Sequence, residues 1–132
     1  MNPRSASAST SAVGALWETI ALQHLQRAGL VLVMRNFCCR HGELDLVMQH
    51  DATLVFVEVR YRRGVSSAHA GFGDGIDSIS AAKRAKLVRA ASAFLSMHPH
   101  LAHRTCRFDV VALAGDPSAP LLDWRQNAFE AG

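Results

Sequence analysis

The chain has 132 residues, 49% of them hydrophobic, which favours one globular domain with a modest core over a disordered chain. A formal charge of +3 and a pI of about 9.1 permit a polyanionic partner without establishing one, and twelve of the fourteen basic residues are arginine. Three cysteines, Cys38, Cys39 and Cys106, two of them adjacent, form no disulfide framework and no zinc-ribbon spacing, so they read as reduced thiols of a cytoplasmic protein.

Residues 1–12 begin Met-Asn-Pro-Arg and continue in Ser, Ala and Thr, a composition that reads as a flexible tail lacking the apolar stretch of a signal peptide. The domain then occupies residues 13–132. No run approaches the roughly 20 apolar residues of a membrane span. From Gly14 to Ala28 the pattern is helical, with Gly29 placed as a C-cap. Ala21, Leu22 and Leu25 form its apolar stripe, with Trp17 at the edge. Glu18 falls inside the stripe by the i, i+3, i+4, i+7 rule. It is either a helix-start carboxylate reaching solvent or a site residue reaching toward the following strands.

Leu30–Met34 reads as a short strand and Arg35–His41 as a polar connection. Glu43–Gln49 alternates Glu43, Asp45 and Val47 against Leu44, Leu46 and Met48; Leu54–Tyr61 alternates Leu54, Phe56, Glu58 and Arg60 against Val55, Val57, Val59 and Tyr61. The short polar link at Asp51-Ala52 makes the two an antiparallel hairpin. A turn centred there sets Asp45 opposite Glu58 and Glu43 opposite Arg60, with Cβ atoms roughly 5 Å apart. Opposed like charges destabilise a sheet, so Asp45 against Glu58 calls for a proton, a basic partner or a hard cation.

Arg62 and Arg63 lead into a stretch from Val65 to Asp77 rich in Gly, Ser and Ala, read as a mobile loop. Its Gly71-Phe72-Gly73-Asp74-Gly75 lacks the preceding strand and the Gly-Lys-Ser/Thr of a phosphate loop. Ser78 or Ser80 caps the next helix, which runs to about Met97 before Pro99. Leu87, Val88, Ala91, Phe94 and Leu95 form its buried face; Lys86 and Arg89 point outward, and Lys83 sits at the edge of that face. The group His98, His100 and His103 reads as a surface loop. Arg104–Leu113 alternates as a strand, and Trp124 and Phe129 in the closing segment seal the core. The order helix, strand, hairpin, helix, strand implies an α/β fold, a three-layer sandwich with helices flanking a central mixed β-sheet.

Asp and Glu on adjacent strands, with a cation two residues after the Glu, suit metal-dependent phosphodiester hydrolysis. Carboxylates hold Mg²⁺ or Mn²⁺, the metal acidifies bound water, and the cation steadies the phosphate. The competing reading is a cross-strand salt-bridge ladder without metal, Glu43 pairing with Arg60.

These residues carry a resemblance. Glu18, Arg35-Asn36, Gly42-Glu43-Leu44-Asp45, Phe56-Val57-Glu58-Val59-Arg60, Ile79, Lys83, Ala90-Ala91, Arg107-Phe108-Asp109-Val110 and Asn127-Ala128-Phe129 together resemble the YraN family of small bacterial proteins. Beyond it the pattern is similar to the PD-(D/E)xK, or restriction-endonuclease-like, superfamily and its Holliday-junction-resolvase branch. The resemblance spans roughly residues 13–129. It implies a restriction-endonuclease-like fold, Asp45, Glu58 and Glu18 as ligands of Mg or Mn, and Arg60 in the position of the superfamily lysine. It further implies a DNA-cleaving enzyme, acting on structured or branched substrates, with Arg60, Arg62, Arg63, Lys83 and Lys86 along the nucleic acid and Lys83 a spatial substitute for the lysine. Arginine stays protonated and cannot act as a general base. The alternative is therefore a non-catalytic nucleic-acid-binding module or scaffold on the same fold. A homodimer is compatible with the resemblance, but no apolar stripe identifies an interface.

Overall fold

Helix α1 (Arg4–Arg27) buries the stripe that its sequence spells, Trp17, Ala21, Leu22 and Leu25, against a five-stranded sheet. The computed structural model describes the backbone of residues 4–62 and 79–131 and the side chains of residues 12–62 and 79–131. The helix therefore begins within the segment read as a tail. It ends where Gly29 adopts φ 101°: the Gly29 amide donates to Gln26 O and the Leu30 amide to Leu25 O, each at 3.0 Å. That is the Schellman arrangement, in which a left-handed glycine lets the next residues satisfy the last carbonyls.

The strands are β1 (Val31–Cys39), β2 (Gly42–His50), β3 (Thr53–Arg62), β4 (Cys106–Asp116) and β5 (Ala119–Phe129), in that spatial order. β1 extends five residues past the expected Met34, through the presumed connection, because Asn36 accepts a left-handed φ of 58° that keeps the chain in the sheet. β2 and β3 form the expected hairpin, Asp51 taking φ 55° in its turn. Helix α2 (Ala81–Met97) crosses from β3 to β4, which pair in parallel, and all other neighbours are antiparallel. Ser80 caps α2, its Oγ accepting the Lys83 amide at 3.1 Å, and Ser78 lies outside the described residues. The expected mobile loop and Arg63 lie outside the described residues.

A hydrophobic layer covers each sheet face. Under α1, Trp17, Leu25, Leu46, Met48, Val55, Val57, Val111 and Leu113 pack together; under α2, Leu44, Val47, Phe56, Leu87, Phe94, Phe108 and Phe129 do. Val88 and Leu95 sit at the edge of the α2 layer rather than within it. The three-layer α/β sandwich is thus realised around a mixed sheet. Among the described residues no helix is long and apolar enough to cross a membrane. The histidine segment is less loose than expected. His98 stacks on Phe94 at 4.1 Å, its Nδ1 bonds Phe94 O, and Pro99–Leu101 forms a 3-10 turn.

The closing segment is a full strand, β5, rather than a plug of two aromatics. Its pairing with β4 shifts register between Phe108 and Val110, at Asp109, whose side chain is wholly buried. Arg107 donates to both carboxylate oxygens (Nε–Oδ1 3.0 Å, Nη2–Oδ2 3.2 Å), Trp124 Nε1 donates to Oδ2 at 2.9 Å, and the Asn127 amide to Oδ1 at 3.0 Å. Arg107 Nη2 also donates to His50 Nδ1 at 2.9 Å, tying the hairpin tip to β4. Four donors on one desolvated carboxylate leave nothing unpaired. Removing it strands a half-buried guanidinium, so Asp109→Ala is expected to cost about 3–5 kcal/mol in urea unfolding. Trp124→Phe, which deletes one charge-assisted bond and keeps the ring, should cost about 1.5–3 kcal/mol.

Candidate functional site

The β2–β3 ladder runs from His50–Thr53 to Leu46–Val57 and stops there. Beyond it the strands part, and Asp45 replaces a backbone rung with its side chain: the Val59 amide donates to Asp45 Oδ2 at 2.8 Å. Because the strands separate, the expected Glu43–Arg60 pair does not form. Glu43 instead lies opposite Cys38 of β1, and its carboxylate joins those of Glu18 and Asp45, with one oxygen from each within 4.8 Å of the others. The salt-bridge ladder is thereby excluded at its main rung.

The strict alternation expected along β2 also breaks here. Leu44 belongs to the layer under α2 and Leu46 to the layer under α1, although strict alternation puts both on one face. The change of face occurs between the pairs Arg35–Leu46 and Phe37–Leu44, where Asn36 has its left-handed φ of 58°. This kink turns Asn36 toward the carboxylates. With its amide nitrogen facing them, it donates to Glu43 Oε2 at 3.0 Å and Glu18 Oε1 at 3.1 Å.

Arg35 ties the cluster to α1. Its Nη2 donates to Ala15 O at 2.7 Å and Thr19 Oγ1 at 2.9 Å, while Nε lies 3.5 Å from Glu18 Oε1. Burial nevertheless raises the Glu18 pKa; the Arg35 charge opposes that rise and the Glu43 charge adds to it. Asp45 is affected most. Burial, followed by the charge of Glu58, pushes its carboxyl up to about 8, against the opposing pull of the Val59 amide; Glu18 and Glu43 push it further up. Glu58 has a different solution: Lys83 of α2 places Nζ 3.5 Å from Glu58 Oε2. Of the three remedies for opposed carboxylates, Asp45 takes the proton and Glu58 the basic partner.

The expected ligands Glu18, Asp45 and Glu58 therefore converge on one end of the sheet, but the tightest trio contains Glu43 in place of Glu58. Glu43, Asn36 and Arg35 are the site residues that sequence reasoning did not assign. The shared strand face of Glu43 and Asp45 was a usable signal for the first, whereas nothing local signals that Asn36 and Arg35 lie in a strand. Lys83 reaches the site from the first turn of α2. Lys86 is exposed on the same helix, and its Cβ would lie 3.8 Å from a side chain built at Gly42, so it borders the start of β2. Arg60 is half-buried on β3, in register with Ala112, and Arg62 is exposed at the strand's end. Among the described residues Arg60 has no ion pair.

The family model described as uncharacterised protein family UPF0102 matches residues 17–113, which include every carboxylate of this cluster. A UPF0102 protein of Pseudomonas putida strain GB-1 is 52% identical over 124 residues, covering 93% of this chain and 97% of that one. Others from Pseudomonas entomophila (50% over 124 residues) and Stutzerimonas stutzeri (49% over 114 residues) align across 93% and 86% of this chain and 97% and 91% of their own.

A carboxyl raised in the folded state stabilises the fold fully below its unfolded pKa, and that contribution drains away as pH climbs toward the folded value. For Asp45 the window runs from the ordinary value of 3.8 up to about 8. The metal-free protein should therefore lose thermal stability progressively across that range, by several degrees. Asp45→Asn should flatten the slope and melt higher than wild type at pH 9. Melting curves in EDTA from pH 4 to 9 measure this, and parallel profiles would remove Asp45 as the titrating group.

Proposed function

The chain belongs to the UPF0102 family, and from that premise we propose that it is a Mg²⁺- or Mn²⁺-dependent nuclease acting on DNA. The finer likeness, to YraN proteins and the PD-(D/E)xK superfamily, is part of the same proposal, as is a cytoplasmic setting. The observation that carries it is the desolvated Asp45 at the strand fork, with Glu18, Glu43 and Glu58 around it.

The donor set suits a hard cation: all the donors are carboxylate oxygens, with no thiol or imidazole in the trio. One oxygen from each of Glu18, Glu43 and Asp45 lies within 4.8 Å of the others, so these three residues would be placed to hold such an ion together. Bound there, the ion would acidify a water and offset charge growing on the phosphate. Asp45, Glu18 and Glu43 would supply oxygens, and Glu58, paired with Lys83 at 3.5 Å, would be the further carboxylate beside them. Arg35 and Asn36 hold the Glu18 and Glu43 carboxylates in place. Arg60 grips phosphate oxygens without taking a proton. Lys83 provides, from a neighbouring helix, the ammonium that β3 lacks. Arg62, Arg63 and Lys86 follow the strand backbone, and a second copy of the chain would extend that track as a homodimer.

Arg60 at the position of the usual lysine favours a second reading, a nucleic-acid-binding module or scaffold that does not cleave. Incubation with Mn²⁺ and linear, single-stranded and branched DNA separates the two. Cleavage is expected, at a rate that falls at least about 100-fold in Asp45→Ala and Glu58→Ala. Intact DNA in all three cases defeats the nuclease, and cleavage gained only in Arg60→Lys identifies a degenerate one. Independently, Mn²⁺ should raise the melting temperature of wild type, as any ligand of the native state does. Glu43→Gln should require roughly tenfold more metal for the same rise.

A further inference from the structure

From Ile79 to Phe108 the chain holds no acidic residue, and within that stretch α2 carries Lys83, Arg84, Lys86 and Arg89, all exposed. Lys83 and Lys86 lie toward the β2–β3 side, beside Glu58 and Gly42. Arg84 and Arg89 instead line a groove of about 400 Å³ between α2 and the end of β5, together with Ala81, Ala85, Val88 and Glu130. Ala81, Ala85 and Val88 follow the i, i+4, i+7 spacing and so form one strip along the helix. At about 100° per residue, Arg84 falls on one side of that strip and Arg89 on the other. The floor is small and uncharged, and each bank carries a guanidinium.

Arg84 is anchored. Its Cζ lies 5.8 Å from the centre of the Phe129 ring, itself stacked on Phe108. A cation–π contact holds the guanidinium without using its N–H donors. Among the described residues neither arginine has an ion pair, although Glu130 lines the same groove. The planar fork of arginine matches phosphate oxygens two at a time, and a strip of small side chains lets a chain lie close to the helix between two such forks. Lys83, which reaches Glu58, directly precedes Arg84, so the groove and the carboxylate site flank the same turn of α2. A polymer with a negative charge on every unit can occupy both at once, so charge complementarity selects a nucleic-acid backbone as the occupant.

We propose that this groove is a second backbone-binding subsite, in which Arg84 and Arg89 each hold a phosphate of a nucleic-acid strand away from the scissile one. Phosphate contacts of this kind position the strand without reading its sequence. The proposal rests on the nucleic-acid reading of the carboxylate site for its ligand, but it is tested by binding rather than by turnover.

The test is fluorescence anisotropy of a labelled DNA duplex, titrated at several KCl concentrations without Mg²⁺ or Mn²⁺. Each phosphate contact on a duplex contributes about 0.9 to the salt slope, so the double variant Arg84→Gln with Arg89→Gln should flatten log K against log [KCl] by about 1.8. Its binding in about 0.1 M KCl should weaken at least about tenfold, equally for two unrelated sequences. Arg84→Lys with Arg89→Lys should keep the slope, because each ammonium still displaces a counterion. Glu130→Gln, which removes a carboxylate from the groove, should bind more tightly. Arg27→Gln, at an exposed position of α1 across the sheet, should leave the slope unchanged. An unchanged slope in the double glutamine variant, or a comparable fall in Arg27→Gln, overturns the subsite while Mn²⁺-dependent cleavage stands or falls on its own assay. Displacement of the duplex by inorganic phosphate at matched ionic strength makes the groove a small-anion pocket and overturns it as well. A wild-type protein that binds no DNA overturns the subsite and the nucleic-acid reading together.

Discussion

Where β2 leaves β3, the amide of Val59 would point into an opening sheet with no carbonyl to receive it. Asp45 Oδ2 takes that hydrogen at 2.8 Å, so a side chain completes a rung that the backbone has abandoned. This substitution anchors the carboxylate at the mouth of the fork, half inside the protein. It also lets Glu43 follow β1 rather than β3, which brings it to Glu18 and Asp45 instead of Arg60. The remaining geometry of the site follows from that fork.

Its electrostatics follow as well. Carboxylates sharing one desolvated end of a sheet cannot all stay ionised without compensation. The protein distributes the burden: Arg35 and Asn36 serve Glu18 and Glu43, Lys83 serves Glu58, and Asp45 keeps a proton up to about pH 8. A divalent cation would exchange for that proton and relieve the repulsion at once, so any metal affinity there would be linked to pH.

A second aspartate shows what a purely structural solution looks like. Asp109 is more deeply buried than Asp45, yet two contacts from Arg107, one from Trp124 and one from the Asn127 amide satisfy both of its oxygens. It joins β4 to β5 and, through Arg107 and His50, to the hairpin tip. Among the described residues Asp45 has one hydrogen-bond donor, and three carboxylates act on it. The same side chain is a fastener in one place and a candidate ligand in the other, and the difference lies in its partners.

The sequence by itself determined the elements with strong periodicity. The α1 stripe with Glu18 inside it, the β2–β3 hairpin, the serine-capped α2 and the alternating β4 are all legible, because each buries one face at a fixed spacing. The nearness of Asp45 and Glu58 was legible through the turn, though not as a paired rung of the ladder, as was Lys83 at the edge of its helix. Sequence could not show β5, whose partly exposed residues alternate poorly, nor the extension of β1 through Asn36, since a left-handed asparagine inside a strand looks like a loop. Nor could it show that the ladder would end at Leu46–Val57. A cross-strand register read from a turn assumes that pairing continues, and only packing against α1 and α2 on opposite faces decides where it stops. The tertiary structure therefore decided that Glu43 meets Glu18 and Asp45 rather than Arg60, because strand separation is a property of the sheet's neighbours and not of the strands.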